Sequence, residues 1–341
     1  MTRRTVIGAL CSPFCFGAQA TFARDLDRLR VKYSVPGLAA AVIRNGEVSW
    51  SAGFGLANRE RETPVTPRTP FRIASLTKTF TSTLLMQLYE AGKLNLDEPV
   101  VRYLPEPERL INGRIGDEVT IRHILTHTSE SKPPGDRYAY SGARFSRLTW
   151  VIESLGGKPF RELLAEQVLD RVKMPRTVPG QDATDQRYQD PLRDLAAPYK
   201  LDKAGTLVAA EYPPKRISAS AGIVSTVEDL AKYDAAIDSH QLIRAATQEM
   251  AWTPARTRTG ESLPYALGWF VQTYRGERLV WHYGYWPGSF SALYLKIPQR
   301  RRTLFLLANS DGLSRPFPSL GKGDVTGSAF AAVFLDSELA G

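Results

Sequence analysis

Cysteine is almost missing from this chain of 341 residues: there are two, Cys11 and Cys15, both near the start. A disulfide framework or a cysteine-held metal is thereby excluded from everything downstream. Histidine is scarce as well, with four scattered residues at 123, 127, 240 and 282 and no H-E-x-x-H spacing, so no zinc site is expected. No apolar run approaches the ~20 residues that a membrane-spanning helix needs. Fixed-period repeats and linker-like low-complexity segments are absent too, which excludes a repeat array. Site chemistry is left to oxygen and nitrogen groups, with neither a metal nor an organic cofactor required.

What is present suits one large domain or two intimate ones, with 43% hydrophobic and 23% charged residues. A net charge of +9 fits nucleic acid, an anionic envelope surface or plain solubility. The basic residues are scattered, however, and the one dense cluster, Arg300-Arg301-Arg302, lies between two apolar runs as a solvated hairpin turn. No nucleic-acid partner is expected.

Residues 1–20 read as an export signal. Arg3 and Arg4 precede the apolar stretch Val6 to Phe16, which ends at Ala18-Gln19-Ala20. Cleavage after Ala20 would leave a mature chain that starts at Thr21 and holds no thiol. Leu10 and Phe14, just ahead of the two cysteines, do not suit a lipoprotein signal. The pair Arg3-Arg4 leaves the general and the twin-arginine export routes both open. A periplasmic or secreted protein with no stable membrane span is the expectation.

Along the chain, Leu38 to Arg44 and Glu47 to Ala52 read as strands joined by an Asn45-Gly46 hairpin turn. A Thr- and Pro-rich loop then leads to a helix from Ser75 to about Ala91, closed by Gly92; Phe80, Leu84, Leu88 and Ala91 mark its buried face. Helical patterns follow at 120–126, 143–155, 159–172 and 227–238. Strand patterns return at 265–272, 278–282, 289–297 and 303–308. The last is continuously apolar and suits a central strand covered on both faces. A final helix is expected at about 324–336. The order predicts an α/β (α+β) fold whose antiparallel sheet draws strands from both chain ends, with flanking helices. Residues 21–74 and 255–341 form the sheet part, 75–254 form an inserted helical part, and the active site falls between them.

The pattern S-x-x-K occurs three times, at Ser75/Lys78, Ser129/Lys132 and Ser319/Lys322. Ser129 stands just before Pro133-Pro134-Gly135 and Ser319 stands in a Pro/Gly-rich loop, so neither is placed to open a helix. Ser75 opens a strong one, where residues i and i+3 share a face and the lysine amine can lie beside the hydroxyl. The positive helix N-terminus favours an alkoxide-like serine and disfavours a protonated lysine. A neutral Lys78 can then take the serine proton.

The motifs around this pair resemble those of serine hydrolases related to class C β-lactamases and D-alanyl-D-alanine carboxypeptidases. Arg72-Ile73-Ala74-Ser75-Leu76-Thr77-Lys78 is similar to their first motif. Gly92 to Val100, Ile121 to Ser129, Pro134-Gly135, Ala221 to Thr226 and Leu267-Gly268-Trp269 continue the likeness in order, from about residue 31 to 312. The resemblance implies the β-lactamase/transpeptidase-like fold and two further motifs. Tyr140-Ser141-Gly142 stands at the second, where Tyr140 would share the proton shuttle with Lys78, either as a tyrosinate or polarised by two cations. His282-Tyr283-Gly284 stands at the third, where many relatives carry K-T-G. His282 would serve as a cation for a substrate carboxylate or as a partner that tunes Tyr140. The backbone N–H groups of Ser75 and Tyr285 would form the oxyanion hole, and Gly284 would let the strand edge approach the acyl group. In the same pattern His127 is structural, as is Tyr138.

Two departures bear on the substrate. Gly142 stands where the family has an asparagine that holds an acylamino side chain, and Tyr283 replaces a small hydroxyl residue. Both weigh against efficient β-lactam turnover and toward an esterase or D-Ala peptidase. The short connection Ser129 to Pro134 should open one side of the cleft, and Trp281, Tyr283, Tyr285 and Trp286 either line the other side or pack in the core. The expected partner is a small-molecule or peptide acyl substrate: an ester, a D-amino-acid peptide or a β-lactam. The rival reading is an envelope binder or sensor that acylates without turnover.

Overall fold

The computed structural model describes residues 13–110 and 114–339. The charged start of the expected export signal, part of its apolar stretch and Cys11 lie outside the described residues. The first helix, Pro13–Lys32, runs through Ala20; its buried anchors are Phe22 and Leu26, with Phe22 set edge-on to Trp50 at 5.2 Å. No described helix is long and apolar enough to cross a membrane.

Among the described residues eleven strands follow in chain order: β1 (Gly37–Arg44), β2 (Glu47–Asn58), β3 (Thr63–Pro64), β4 (Phe71–Arg72), β5 (Tyr199–Leu201), β6 (Leu207–Ala209), β7 (Val224–Ser225), β8 (Phe270–Tyr274), β9 (Glu277–Trp286), β10 (Phe290–Ile297) and β11 (Arg302–Ala308). The main sheet is antiparallel with the order β3-β2-β1-β11-β10-β9-β8. Strands from both chain ends meet where Leu38 pairs Ala308 and Arg44 pairs Arg302. The β1–β2 turn is tight because Asn45 and Gly46 both take positive φ, at 56° and 82°, the backbone a two-residue hairpin requires. β11 lies in the middle of the sheet with Thr303 to Ala308 buried, as its unbroken apolar run predicts.

Alternation along β11 divides the core. Phe305 and Leu307 face the helices of the chain's middle, including Thr77–Glu90 and Val227–Asp238. Leu304 and Leu306 face the two terminal helices, Pro13–Lys32 and Ala329–Leu339. The terminal helices therefore close one side of the sheet and the long middle of the chain closes the other.

Several boundaries differ from expectation, among them the start of the Ser75 helix, which falls at Thr77. The strand expected from residue 265 starts at Phe270, because Gly268 takes φ +89° and lies so close to the helix Thr77–Glu90 that a Cβ would sit 2.8 Å from Ser82 Cβ. The 143–155 helix divides into Gly142–Phe145 and Leu148–Gly156. The last helix begins at Ala329, five residues late, after short turns that include Leu320–Lys322. Arg300 and Arg302 do flank a hairpin turn, but they also clamp Glu338 of the final helix through the Glu338 backbone and carboxylate.

Candidate active site

Ser75 sits in a single 3₁₀ turn, Ala74–Leu76, which feeds directly into the helix Thr77–Glu90. Ala74 takes φ +48°, a left-handed conformation that a residue with a side chain adopts only where the surroundings hold it. The strain turns the chain sharply between β4 and the helix and presents Ser75 at the bend. Arg72, just upstream and buried, ties this bend to the rest of the molecule by donating to the carbonyls of Pro213 and Pro214 and to Gln181 Oε1. Gly92 at φ +67° closes the helix at its other end.

One turn into the helix, Lys78 Nζ lies 3.0 Å from Ser75 Oγ and donates to the Ser220 carbonyl, also at 3.0 Å. The lysine is fully buried, and that burial pushes its pKa from the usual 10.5 down to about 7. The rings of Tyr140 and Phe145, 5.0 and 5.1 Å from the nitrogen, supply a π surface but no counter-ion. Desolvation wins, so at neutral pH a large fraction of Lys78 is a free amine. Such an amine keeps one N–H on Ser220 and has its lone pair available to the serine proton.

Tyr140 reaches the same place from the second motif. Its hydroxyl is buried and lies near enough to Ser75 for the serine to draw its pKa down slightly, yet outside hydrogen-bond geometry with any described residue. Burial outweighs this and, with Tyr283 beside it, holds the phenol well above 10. The tyrosinate alternative therefore does not describe this site; Tyr140 is a neutral phenol, a proton donor.

His282 differs from expectation most. It is fully buried, with Nδ1 2.7 Å from the Tyr283 carbonyl and Nε2 2.8 Å from the Tyr265 hydroxyl. A carbonyl only accepts, so Nδ1 carries the proton and the Tyr265 O–H donates to Nε2. Burial, and then the Lys78 charge, hold its pKa down to about 3. His282 is a neutral ring saturated by two hydrogen bonds, so the cation for a substrate carboxylate is not present at the third motif. It makes no hydrogen bond to Tyr140; the two rings stand 6.2 Å apart.

The remaining candidates line the approach. Gly284 is required by a close contact: an added Cβ would lie 2.3 Å from the Ile73 carbonyl oxygen, so the intimate neighbour is the backbone leading into the Ser75 turn. Pairing of β8 with β9 ends at Trp281, which leaves His282 to Trp286 with β10 alone as a strand neighbour. Tyr285, the expected oxyanion donor, lies in this stretch. Gly142 starts a short helix, and a Cβ there would meet nothing within 4 Å. Tyr283 packs 6.0 Å from the Tyr140 ring, with burial raising its pKa to about 12. Trp281 belongs to the core instead, stacked on Phe270 at 4.3 Å. A cavity of about 550 Å³ follows the short Ser129–Pro134 loop, but Ser75, Lys78 and Tyr140 are not among its lining residues. Among the described residues, no group of three or more His, Cys, Asp or Glu side chains is placed to hold a metal ion.

Two contributors escaped the sequence reading. Ser220 directly precedes the recognised Ala221 to Thr226 run, and it acts through its carbonyl, so its side chain carried no signal. Tyr265 fell in a stretch read as strand and carried no signal of its own. His123, by contrast, closes a capping box with Thr120, and His240 ends the helix Val227–Asp238 at φ +54°.

Sheet, Ser75 turn and buried lysine together fit the β-lactamase/transpeptidase-like fold. The chain belongs to the Beta-lactamase family, whose model matches residues 20–322. A penicillin-binding protein of Bacillus subtilis (strain 168) is 24% identical over 311 residues, 78% of this chain and 66% of its own length. The chain thus spans just under two thirds of that curated relative, and 60% of the protein flp of Staphylococcus aureus (strain MW2). Among solved structures, the octameric penicillin-binding protein homologue from Pyrococcus abyssi superposes with a TM-score of 0.77 at 25% identity, covering 93% of this chain and 77% of its own. D-alanine carboxypeptidase AmpC from Burkholderia cenocepacia gives 0.70 at 22% identity, over 87% and 95%.

Proposed function

We propose that the protein is an exported serine hydrolase that works through a covalent acyl-enzyme on Ser75. The observation that carries this reading is the 3.0 Å approach of a buried Lys78, with a pKa near 7, to Ser75 Oγ. Lys78 takes the serine proton as Oγ bonds to the substrate carbonyl carbon. Tyr140 delivers a proton to the leaving group as its bond to that carbon breaks and is reprotonated from the Lys78 ammonium, which returns both groups to neutrality, and water then hydrolyses the acyl-enzyme. Backbone N–H groups of Ser75 and Tyr285 are proposed to hold the oxyanion. An ester or a D-amino-acid peptide is favoured over efficient β-lactam turnover, because Gly142 presents no amide and His282 presents no charge. Export is proposed from the leader-like first 20 residues; among the described residues the first buried anchor, Phe22, lies just past the expected cleavage point.

The test is covalent labelling of the protein with a fluorophosphonate and with a fluorescent penicillin, the adduct located by mass spectrometry. Modification of Ser75 is expected. Absence of an adduct on Ser75 from both probes overturns the assignment. Turnover of short-chain nitrophenyl esters, D-Ala-D-Ala peptides and a chromogenic cephalosporin then ranks the substrates, with the cephalosporin expected last.

A further inference from the structure

Tyr140 poses a mechanical problem. A proton donor must meet its leaving group within a few tenths of an ångström, yet the Tyr140 hydroxyl has no hydrogen-bond partner among the described residues to hold it. Its position must come from its backbone and ring. Phe270, Tyr265 and Tyr283 stand 6.0–6.4 Å from that ring, but the nearest ring, and the residue that also holds the backbone, is His127. The His127 carbonyl accepts from Ala139 N at 2.8 Å, and its Nδ1 accepts from Ser141 N at 3.1 Å, so one residue holds the backbone N–H of the residue on each side of Tyr140. The imidazole also lies against the Tyr140 ring, with centroids 4.2 Å apart and planes 33° apart.

Two further features set His127 apart from an ordinary core histidine. Its backbone is left-handed at φ +53°, which points the carbonyl and the ring at the same short segment. Because Nδ1 accepts, the proton sits on Nε2, and Nε2 is buried with no hydrogen-bond partner among the described residues. A buried donor left without a partner is costly and persists where something else is gained. Phe145 and Tyr265, at 5.2 and 4.7 Å, box the ring from other sides. The ring is neutral, since burial above all, and then the Lys78 ammonium nearby, oppose its protonation.

We propose that His127 is a positioning residue that fixes Tyr140 for proton delivery to the leaving group, acting through Nδ1 and the ring stack. The proposal rests on the reading of Tyr140 as the acid. Its consequence is selective: leaving groups that depart as stable anions need no proton, whereas alkoxides do.

The experiment compares nitrophenyl, phenyl and ethyl esters of one acyl group across Tyr140→Phe, His127→Ala and His127→Asn, reading kcat/KM, which reports acylation. Tyr140→Phe and His127→Ala are expected to lower ethyl-ester kcat/KM by roughly 100-fold and nitrophenyl-ester kcat/KM by less than about threefold. His127→Asn should return ethyl-ester activity to within about tenfold of the parent, since an asparagine oxygen can replace Nδ1 and asparagine tolerates positive φ. An equal loss on all three esters in His127→Ala, or failure of asparagine to rescue, overturns the positioning role. If Tyr140→Phe itself shows no dependence on leaving group, the assignment of the acid fails first and the His127 proposal falls with it. If the alanine variant does not fold, His127→Asn against His127→Gln makes the same comparison, because the glutamine oxygen lies one carbon too far out. Equal profiles for that pair overturn the proposal.

Discussion

With its amine buried and one N–H committed to the Ser220 carbonyl, Lys78 loses its lone pair to a proton below about pH 7. Below that point kcat/KM should therefore fall about tenfold per pH unit, and above it the rate should stay level. Ionisation of Tyr140 would end the plateau, and that phenol is held well above 10. A pH–rate profile measured between 5 and 10 checks both limbs. Burial has a stability consequence of the same origin. Between about pH 7 and 10.5 the unfolded chain binds a proton that the folded chain does not, so stability rises with pH through this window. Lys78→Met should accordingly lower kcat/KM by about 10²- to 10⁴-fold while raising Tm at pH 6, a loss of function with a gain in stability. At Gly142 the expectation is the reverse kind of change. A Cβ meets nothing within 4 Å there, so Gly142→Asn should fold with an unchanged Tm and accelerate acylation by a cephalosporin, read from stopped-flow absorbance.

Two elements are pressed together at the site, and their contact is a strand against a turn. β9 approaches the Ala74–Leu76 turn so closely that a methyl at Gly284 would overlap the Ile73 carbonyl at 2.3 Å. The oxyanion donors proposed on Ser75 and Tyr285 belong to these same two elements, so their spacing is set by this glycine. Gly284→Ala should force the pair apart, at a stability cost of about 1–3 kcal/mol, and slow fluorophosphonate labelling of Ser75 by more than tenfold. A variant that loses stability but labels at the parental rate would separate the strand contact from the chemistry.

Across the whole molecule, the helical middle is fastened to the sheet by a buried charge cluster on the face that carries the site. Lys296 on β10 reaches Asp234 at 2.9 Å and Asp238 at 2.7 Å, both on the helix Val227–Asp238, and Tyr294 and Thr303 add hydrogen bonds to Asp234. Lys296 and Asp234 are fully buried. Removing the cation alone strands two carboxylates in the interior, so Lys296→Ala should cost about 3–5 kcal/mol in chemical denaturation. Replacing Lys296, Asp234 and Asp238 together by apolar residues should cost far less, because no charge is then left unpaired.

The parts of this protein that were legible in the sequence are those whose cause is local. A Ser and a Lys three residues apart on consecutive helical turns must share a face, Asn45-Gly46 can turn two strands because both residues accept positive φ, and Leu304 to Ala308 can be buried on both faces because every side chain is apolar. The pairing of the two chain ends followed from that last strand needing a neighbour on each side. What the tertiary structure decided are the states of groups whose partners lie far along the chain. Lys78 owes its free amine to burial and its hydrogen bond to a carbonyl 142 residues away; His282 owes its neutrality to Tyr265 and the surrounding core; Tyr140 owes its place to His127. Sequence spacing determines which side chains can meet on one element, whereas protonation and aim depend on solvent exclusion and on contacts between elements, which exist only once the chain has closed around them.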